Sequence, residues 1–171
     1  MRPMDLNHFS SGAELGRLRR RDLAALTLAA LLPTWVLAQP VANGSASMVQ
    51  VWKDPSCGCC KDWVLHMEKN GFLTQTLDTG NSAMRQRLGM PQKLGSCHTA
   101  LVNGYVLEGH VPAREVLRLL QDKPEALGLS VPRMPVGSPG MDGPEYAGRK
   151  DPYDVLLVAK DGTTTIFQRY S

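Results

Sequence analysis

Residues 51–63 read V-W-K-D-P-S-C-G-C-C-K-D-W. The alternation of Met48-Val49-Gln50-Val51-Trp52 just before the cysteines predicts a short strand. Asp54-Pro55-Ser56 breaks that strand and offers Ser56 as a helix cap, so a helix is expected from about Cys59 to Asn70, closed by Gly71. On it Cys60, Trp63, Val64 and Met67 fall at i, i+3, i+4 and i+7, an apolar face that carries Cys60 inward. Cys57 and Cys59 are left on the exposed first turn, where unpaired N–H groups and the helix dipole favour thiolate over thiol.

Working outward, Phe72–Leu77 reads as a second strand and Ser82–Leu88 as a short helix. The runs Thr99–Val102 and Tyr105–Glu108 flank Asn103-Gly104, a strong two-residue hairpin turn. Pro112 opens a further helix with Val116, Leu119 and Leu120 on one side. Strand, helix, strand, helix, strand, strand, helix is the order of thioredoxin-like α/β domains. In that topology the loop into the third strand lies beside the start of the first helix, and here that loop carries Cys97, the fourth and last cysteine. Four sulfurs are therefore expected at one place. Residues 130–152 form an irregular Gly- and Pro-rich loop holding Met134 and Met141, and Tyr153–Ala159 with Thr163–Tyr170 predict an added C-terminal β-hairpin around Asp161-Gly162.

The chain of 171 residues begins with Arg17, Arg19, Arg20 and Arg21 ahead of the apolar run Leu23–Val36, then Val36-Leu37-Ala38. This pattern predicts an export signal peptide over 1–38, of ordinary secretory type or, given Arg20-Arg21, of twin-arginine type. The run is short for a membrane span and Pro33 interrupts it, so no stable membrane insertion is expected after cleavage near Ala38. Residues 39–46 read as a flexible lead-in and 47–171 as one domain. Without the leader, 14 Lys and Arg face 13 Asp and Glu, a balance that argues against a nucleic-acid binder. No phosphate-binding loop, dinucleotide fingerprint or serine-hydrolase elbow is found.

Three sulfurs in four residues limit the chemistry. A tetrahedral zinc site takes cysteines two or more residues apart, so Cys57, Cys60 and Cys97 can bind one ion but leave Cys59 idle. A multi-metal cluster uses all four, because a thiolate bridges two ions, and soft sulfur donors select Cu(I). His98 adjoins Cys97 as a further candidate ligand, and Met134 and Met141 can add thioethers or an apolar cover. His110 is a weaker candidate, His66 reads as a surface residue, and Met67, Trp52 and Trp63 read as core. The rival reading is a thiol-disulfide oxidoreductase using Cys57 and Cys60 alone.

At C-G-C-C, G-S-C-H-T-A, G-Y-V-L-E-G-H-V-P-A and M-P-V-G-S-P-G-M the sequence resembles the CopG-type copper-resistance family, long catalogued as a domain of unknown function, over roughly residues 47–170. The resemblance implies a thioredoxin-like fold in the bacterial periplasm that handles copper. Cys57, Cys59, Cys60 and Cys97 would be its cluster-building thiolates, with His98 and the Met134/Met141 loop close by. It also implies a redox role, moving copper between its +1 and +2 states, and dealings with other periplasmic copper-handling proteins. True thioredoxins carry a proline in the loop before the third strand, whereas Ser96-Cys97-His98-Thr99 has none. That departure counts against a peptide-disulfide oxidoreductase.

Overall fold

The computed structural model describes residues 46–171, so the expected signal peptide and all but the last residue of the lead-in lie outside the described residues. Strand β1 (Met48–Lys53) leads through the Asp54-Pro55-Ser56 turn into helix α1 (Gly58–Lys69). Strand β2 (Leu73–Leu77), the short helix α2 (Ser82–Arg87) and a 3-10 turn at Gln92–Leu94 follow. A hairpin of β3 (His98–Val102) and β4 (Tyr105–Glu108) precedes helix α3 (Ala113–Asp122), and β5 (Gly128–Ser130), β6 (Tyr153–Val158) and β7 (Thr164–Tyr170) complete the chain.

All seven strands form one mixed sheet in the order β2-β1-β3-β4-β5-β6-β7. β1 is parallel to β2 and antiparallel to β3, and β4 is antiparallel to β3 and parallel to β5. β6 pairs antiparallel with both β5 and β7. The alternation predicted for β1 buries Val49 and Val51 completely, and the predicted α1 face, Cys60, Trp63, Val64 and Met67, is the buried one. Successive β4 residues face opposite sides of the sheet. Leu107 joins the main core with Trp63, Met67, Val116 and Leu119, while Val106 joins a smaller cluster with Met90, Leu94 and Val158.

Three features differ from the sequence expectation. Ser56 does not cap α1: its N–H and hydroxyl both donate to Asp54 Oδ1, and Cys57 occupies the N-cap with no side-chain cap bond. The aspartate two residues back closes its own turn first, which removes the serine hydroxyl from the helix. Strand β5 was not expected, because three residues are too few to display a period; yet all three are buried and β5 carries the sheet from β4 to β6.

The third concerns His66, which is half-buried rather than a surface residue, with its Nε2 accepting the Ala113 N–H at 3.0 Å. It thereby satisfies one of the orphan amides of α3, whose own N-cap is Pro112 and supplies no side-chain acceptor. Burial, the largest cause, lowers the His66 pKa from its ordinary 6.5, the direction that keeps this acceptor neutral. His66→Ala should therefore lower stability by about 1 kcal/mol near pH 7.5, the usual worth of a helix cap. Because the folded pKa is depressed, the contribution is complete above the unfolded value and is lost as pH falls below 6.5. Urea midpoints of the two proteins should converge by pH 5; an equal gap at both pH values would show that the imidazole is not the cap.

Candidate metal centre

The register of the sheet brings the cysteines together. Lys53, the last residue of β1, pairs with His98, the first of β3, so the turn into α1 and the loop ending at Cys97 lie side by side. Cys59 Sγ is 3.9 Å from Cys97 Sγ and 3.6 Å from Cys57 Sγ, and Cys60 Sγ lies 3.7 Å from the Cys97 carbonyl oxygen. The four sulfurs are all within 4.8 Å of one another. Two sulfurs bound to one ion at about 2.3 Å each can be at most about 4.6 Å apart, and the 3.6 Å and 3.9 Å separations around Cys59 lie inside that limit. Cys57 and Cys60 are joined as a disulfide, with Cα atoms 5.4 Å apart, while Cys59 and Cys97 are free and half-buried.

A second group, Cys97, His98 and His110, also has its ligand atoms within 4.8 Å of one another. His110 Nε2 is 3.0 Å and His98 Nδ1 is 3.5 Å from Cys97 Sγ. The His110 Nδ1–H donates to the Pro139 carbonyl at 2.8 Å, which leaves the Nε2 lone pair facing Cys97. Both imidazoles are fully buried, and burial is the main cause that lowers their pKa values, that of His98 far below its ordinary range. They are neutral donors at neutral pH. The Cys97 thiol is pushed up to about 12, first by burial and then by the neighbouring Cys59. His98 is walled by Trp63, ring centroids 4.3 Å apart, whose Nε1–H donates to Val111 O.

The loop after β5 closes over the helix start by backbone contact. A Cβ on Gly140, at φ +82°, would lie 2.5 Å from Cys59 O and 2.8 Å from Trp63 N, so only glycine lets the loop approach this closely. Of the two candidate thioethers in this loop, Met141 is buried with its Sδ accepting the Tyr146 hydroxyl, and Met134 is 48% exposed. The structure thus draws together Cys57, Cys59, Cys60, Cys97 and His98, and adds His110, which sequence reasoning ranked low. A signal for it existed. A two-residue Asn103-Gly104 turn pairs Val102 with Tyr105 and Thr99 with Glu108, and continuing the count sets Cys97 opposite His110.

No curated protein sequence matches the chain. A family model described as a protein of unknown function, DUF411, matches residues 94–141, which span Cys97, His98, His110 and the loop to Met141. Two solved structures are similar, both of a copper resistance protein CopG. Its form 2 is 40% identical over 74% of this chain and 99% of that one, with a TM-score of 0.68. Its form 1 is 41% identical over 72% and 96%, with a TM-score of 0.67. With its cysteine cluster at the helix start and this degree of identity over the full length of a solved relative, the chain belongs to the CopG copper-resistance family.

Proposed function

We propose that this chain is a thioredoxin-like periplasmic protein that holds Cu(I) as cargo in a multi-thiolate site, as a cluster of more than one ion, in the service of copper resistance. The observation that carries the reading is the 3.9 Å approach of Cys97 Sγ to Cys59 Sγ, across 38 residues of sequence. Soft, polarisable sulfur favours Cu(I), and four sulfurs at this spacing offer bridging positions that one tetrahedral zinc ion does not need. His98 and His110 supply imidazole nitrogen on one flank, a borderline donor that also accepts Cu(II). The sheet order β2-β1-β3-β4, with α1 leaving the end of β1, supports the thioredoxin-like reading of the first half. Among the described residues no helix is long and apolar enough to cross a membrane. Export through the segment at 1–38, and exchange of copper with other periplasmic copper-handling proteins, belong to the same proposal.

Copper analysis of anaerobically reduced protein tests it: more than one Cu(I) per chain is expected, and a single tightly held ion would exclude a cluster. Cys59→Ser should lower the ratio, because Cys59 is the sulfur that touches both Cys57 and Cys97. Unchanged loading in that variant would put Cys59 outside the site.

The Cys57–Cys60 disulfide favours a second reading, a thiol-disulfide oxidoreductase on the same scaffold. That reading predicts that metal-free protein turns over a disulfide substrate and that Cys97→Ser leaves the turnover unaltered.

A further inference from the structure

Ser96, the residue before Cys97, has every polar group of its backbone and side chain held. Its N–H donates to Glu108 Oε1 at 2.7 Å, its carbonyl accepts from Arg85 Nη2 and from Asn81 Nδ2 at 3.1 Å, and its hydroxyl donates to Arg133 O. The same Glu108 accepts Arg85 Nε at 2.9 Å and, through Oε2, the Thr99 hydroxyl at 2.7 Å. One carboxylate therefore grips the chain on both sides of Cys97-His98. Glu108 is wholly buried and Arg85 is 5% exposed. Two glycines give this cluster its room. A Cβ on Gly95 would meet the Arg85 guanidinium at 3.0 Å, and one on Gly109, at φ +72°, would lie 2.5 Å from Ser96 Cβ and Val131 O.

A buried ion pair is a poor source of stability, since desolvating both charges costs about what their attraction returns. Burial raises the Glu108 carboxyl above its ordinary value in spite of its three donors, in keeping with that cost. What the pair does provide is geometry. Each of its bonds outside the pair goes to Ser96 or Thr99, and both residues bracket the sulfur that meets Cys59 and His110.

We propose that the buried Arg85–Glu108 pair is a positioning device for Cys97, fixing by hydrogen bonds the loop that thioredoxins fix with a proline. Arg85 and Glu108 touch no cargo; they act through the backbone of Ser96 and the hydroxyl of Thr99. That this serves copper rests on the proposed function, but the placement of the sulfur does not.

The test reads the sulfur directly. In a Cys59→Ser background with the Cys57–Cys60 disulfide intact, Cys97 is the single free thiol, and its alkylation by iodoacetamide at fixed pH is followed by mass spectrometry. The paired variant Arg85→Met with Glu108→Leu should keep its circular dichroism, since apolar replacement of a buried pair is generally tolerated, with a melting temperature lowered only by the Ser96 N–H and Thr99 hydroxyl that lose their acceptor. Its Cys97 should nevertheless alkylate at least about tenfold faster, the scale of one lost hydrogen bond to a charged group. Thr99→Val, a change of similar shape that removes the hydroxyl donating to Glu108 and accepting from Asn81 Nδ2 at 3.3 Å, should accelerate it less but in the same direction. In reduced protein with Cys59 restored, the paired variant should bind Cu(I) about 10–100-fold more weakly, the usual effect of losing an outer partner of a metal ligand. An unchanged alkylation rate in the folded paired variant overturns the proposal; if that variant does not fold, an unchanged rate in Thr99→Val does so. Should the parent take up no copper, the functional reading fails and the alkylation rates still decide the clamp.

Discussion

Replacing Cys97 with serine should cut the Cu(I) held by the reduced protein to about half or less of the parent value, since a hydroxyl is a hard donor that Cu(I) does not select. Cys97 is the one residue shared by both donor groups: it completes the four sulfurs with Cys57, Cys59 and Cys60, and it links them to His98 and His110. Its loss therefore separates the helix-borne thiolates from the imidazoles instead of trimming one corner of the site. The fold should be indifferent, because the Cys97 side chain is half-buried and its neighbours are held through Ser96 and Thr99. Anaerobic Cu(I) titration against a competing chelator measures the ratio, and equal loading in parent and variant would remove Cys97 from the site. The same titration has a pH sign. With its thiol pushed up to about 12, Cys97 is protonated at neutral pH, and copper must displace that proton. Affinity should thus rise with pH by about tenfold per unit for each such proton, and Cys97→Ser should reduce the slope.

Most of what positions this site was legible in the sequence, for identifiable reasons. β1 and α1 announce themselves by period, and the Cys60-Trp63-Val64-Met67 face is the face that is buried. The expected topology set the Cys97 loop beside the start of α1, where the Lys53–His98 pairing of β1 with β3 holds it, and the Asn103-Gly104 turn fixed the β3–β4 register. That register also carried His110, but a lone histidine after a turn has no periodic partner to mark it. Burial of charge was the illegible part. Arg85 sits on a short polar helix, where an arginine is ordinarily solvated, and nothing in S-A-M-R-Q-R distinguishes it from Arg87, yet Arg85 alone is buried. The choice of Cys57–Cys60 for the disulfide was one of the readings the C-x-x-C spacing allowed; the four sulfurs lie so close that spacing alone does not single it out. Strand β5, with three residues, was too short to show a pattern, and Ser56 lost its capping role to a competing bond from the adjacent turn.

Oxidised protein, with Cys57 and Cys60 joined, should take up at most about half the Cu(I) of reduced protein, because only thiolates bind the metal and two of the four sulfurs are withheld. Opening the site takes two electrons and two protons from a dithiol: the reductant leaves as its own disulfide and Cys57 and Cys60 become thiols. Geometry dictates which sulfur is attacked. Cys60 is fully buried against the Cys97 carbonyl, whereas Cys57 sits half-exposed at the N-cap of α1. An incoming thiolate therefore reaches Cys57 and expels Cys60 as the leaving thiolate; the second thiol of the reductant then attacks the mixed disulfide, expels Cys57 and leaves as the reductant's own disulfide. In a Cys59→Ser, Cys60→Ser variant, which removes the returning thiol and the free thiol 3.6 Å from Cys57, an activated disulfide reagent should load Cys57 and remain there as a mixed disulfide, detectable by peptide mass. Cys57→Ser should leave the buried Cys60 largely unlabelled by the same reagent. Copper uptake that is the same before and after reduction would mean that the disulfide lies outside the copper site, and would leave the oxidoreductase reading as the stronger account of Cys57 and Cys60.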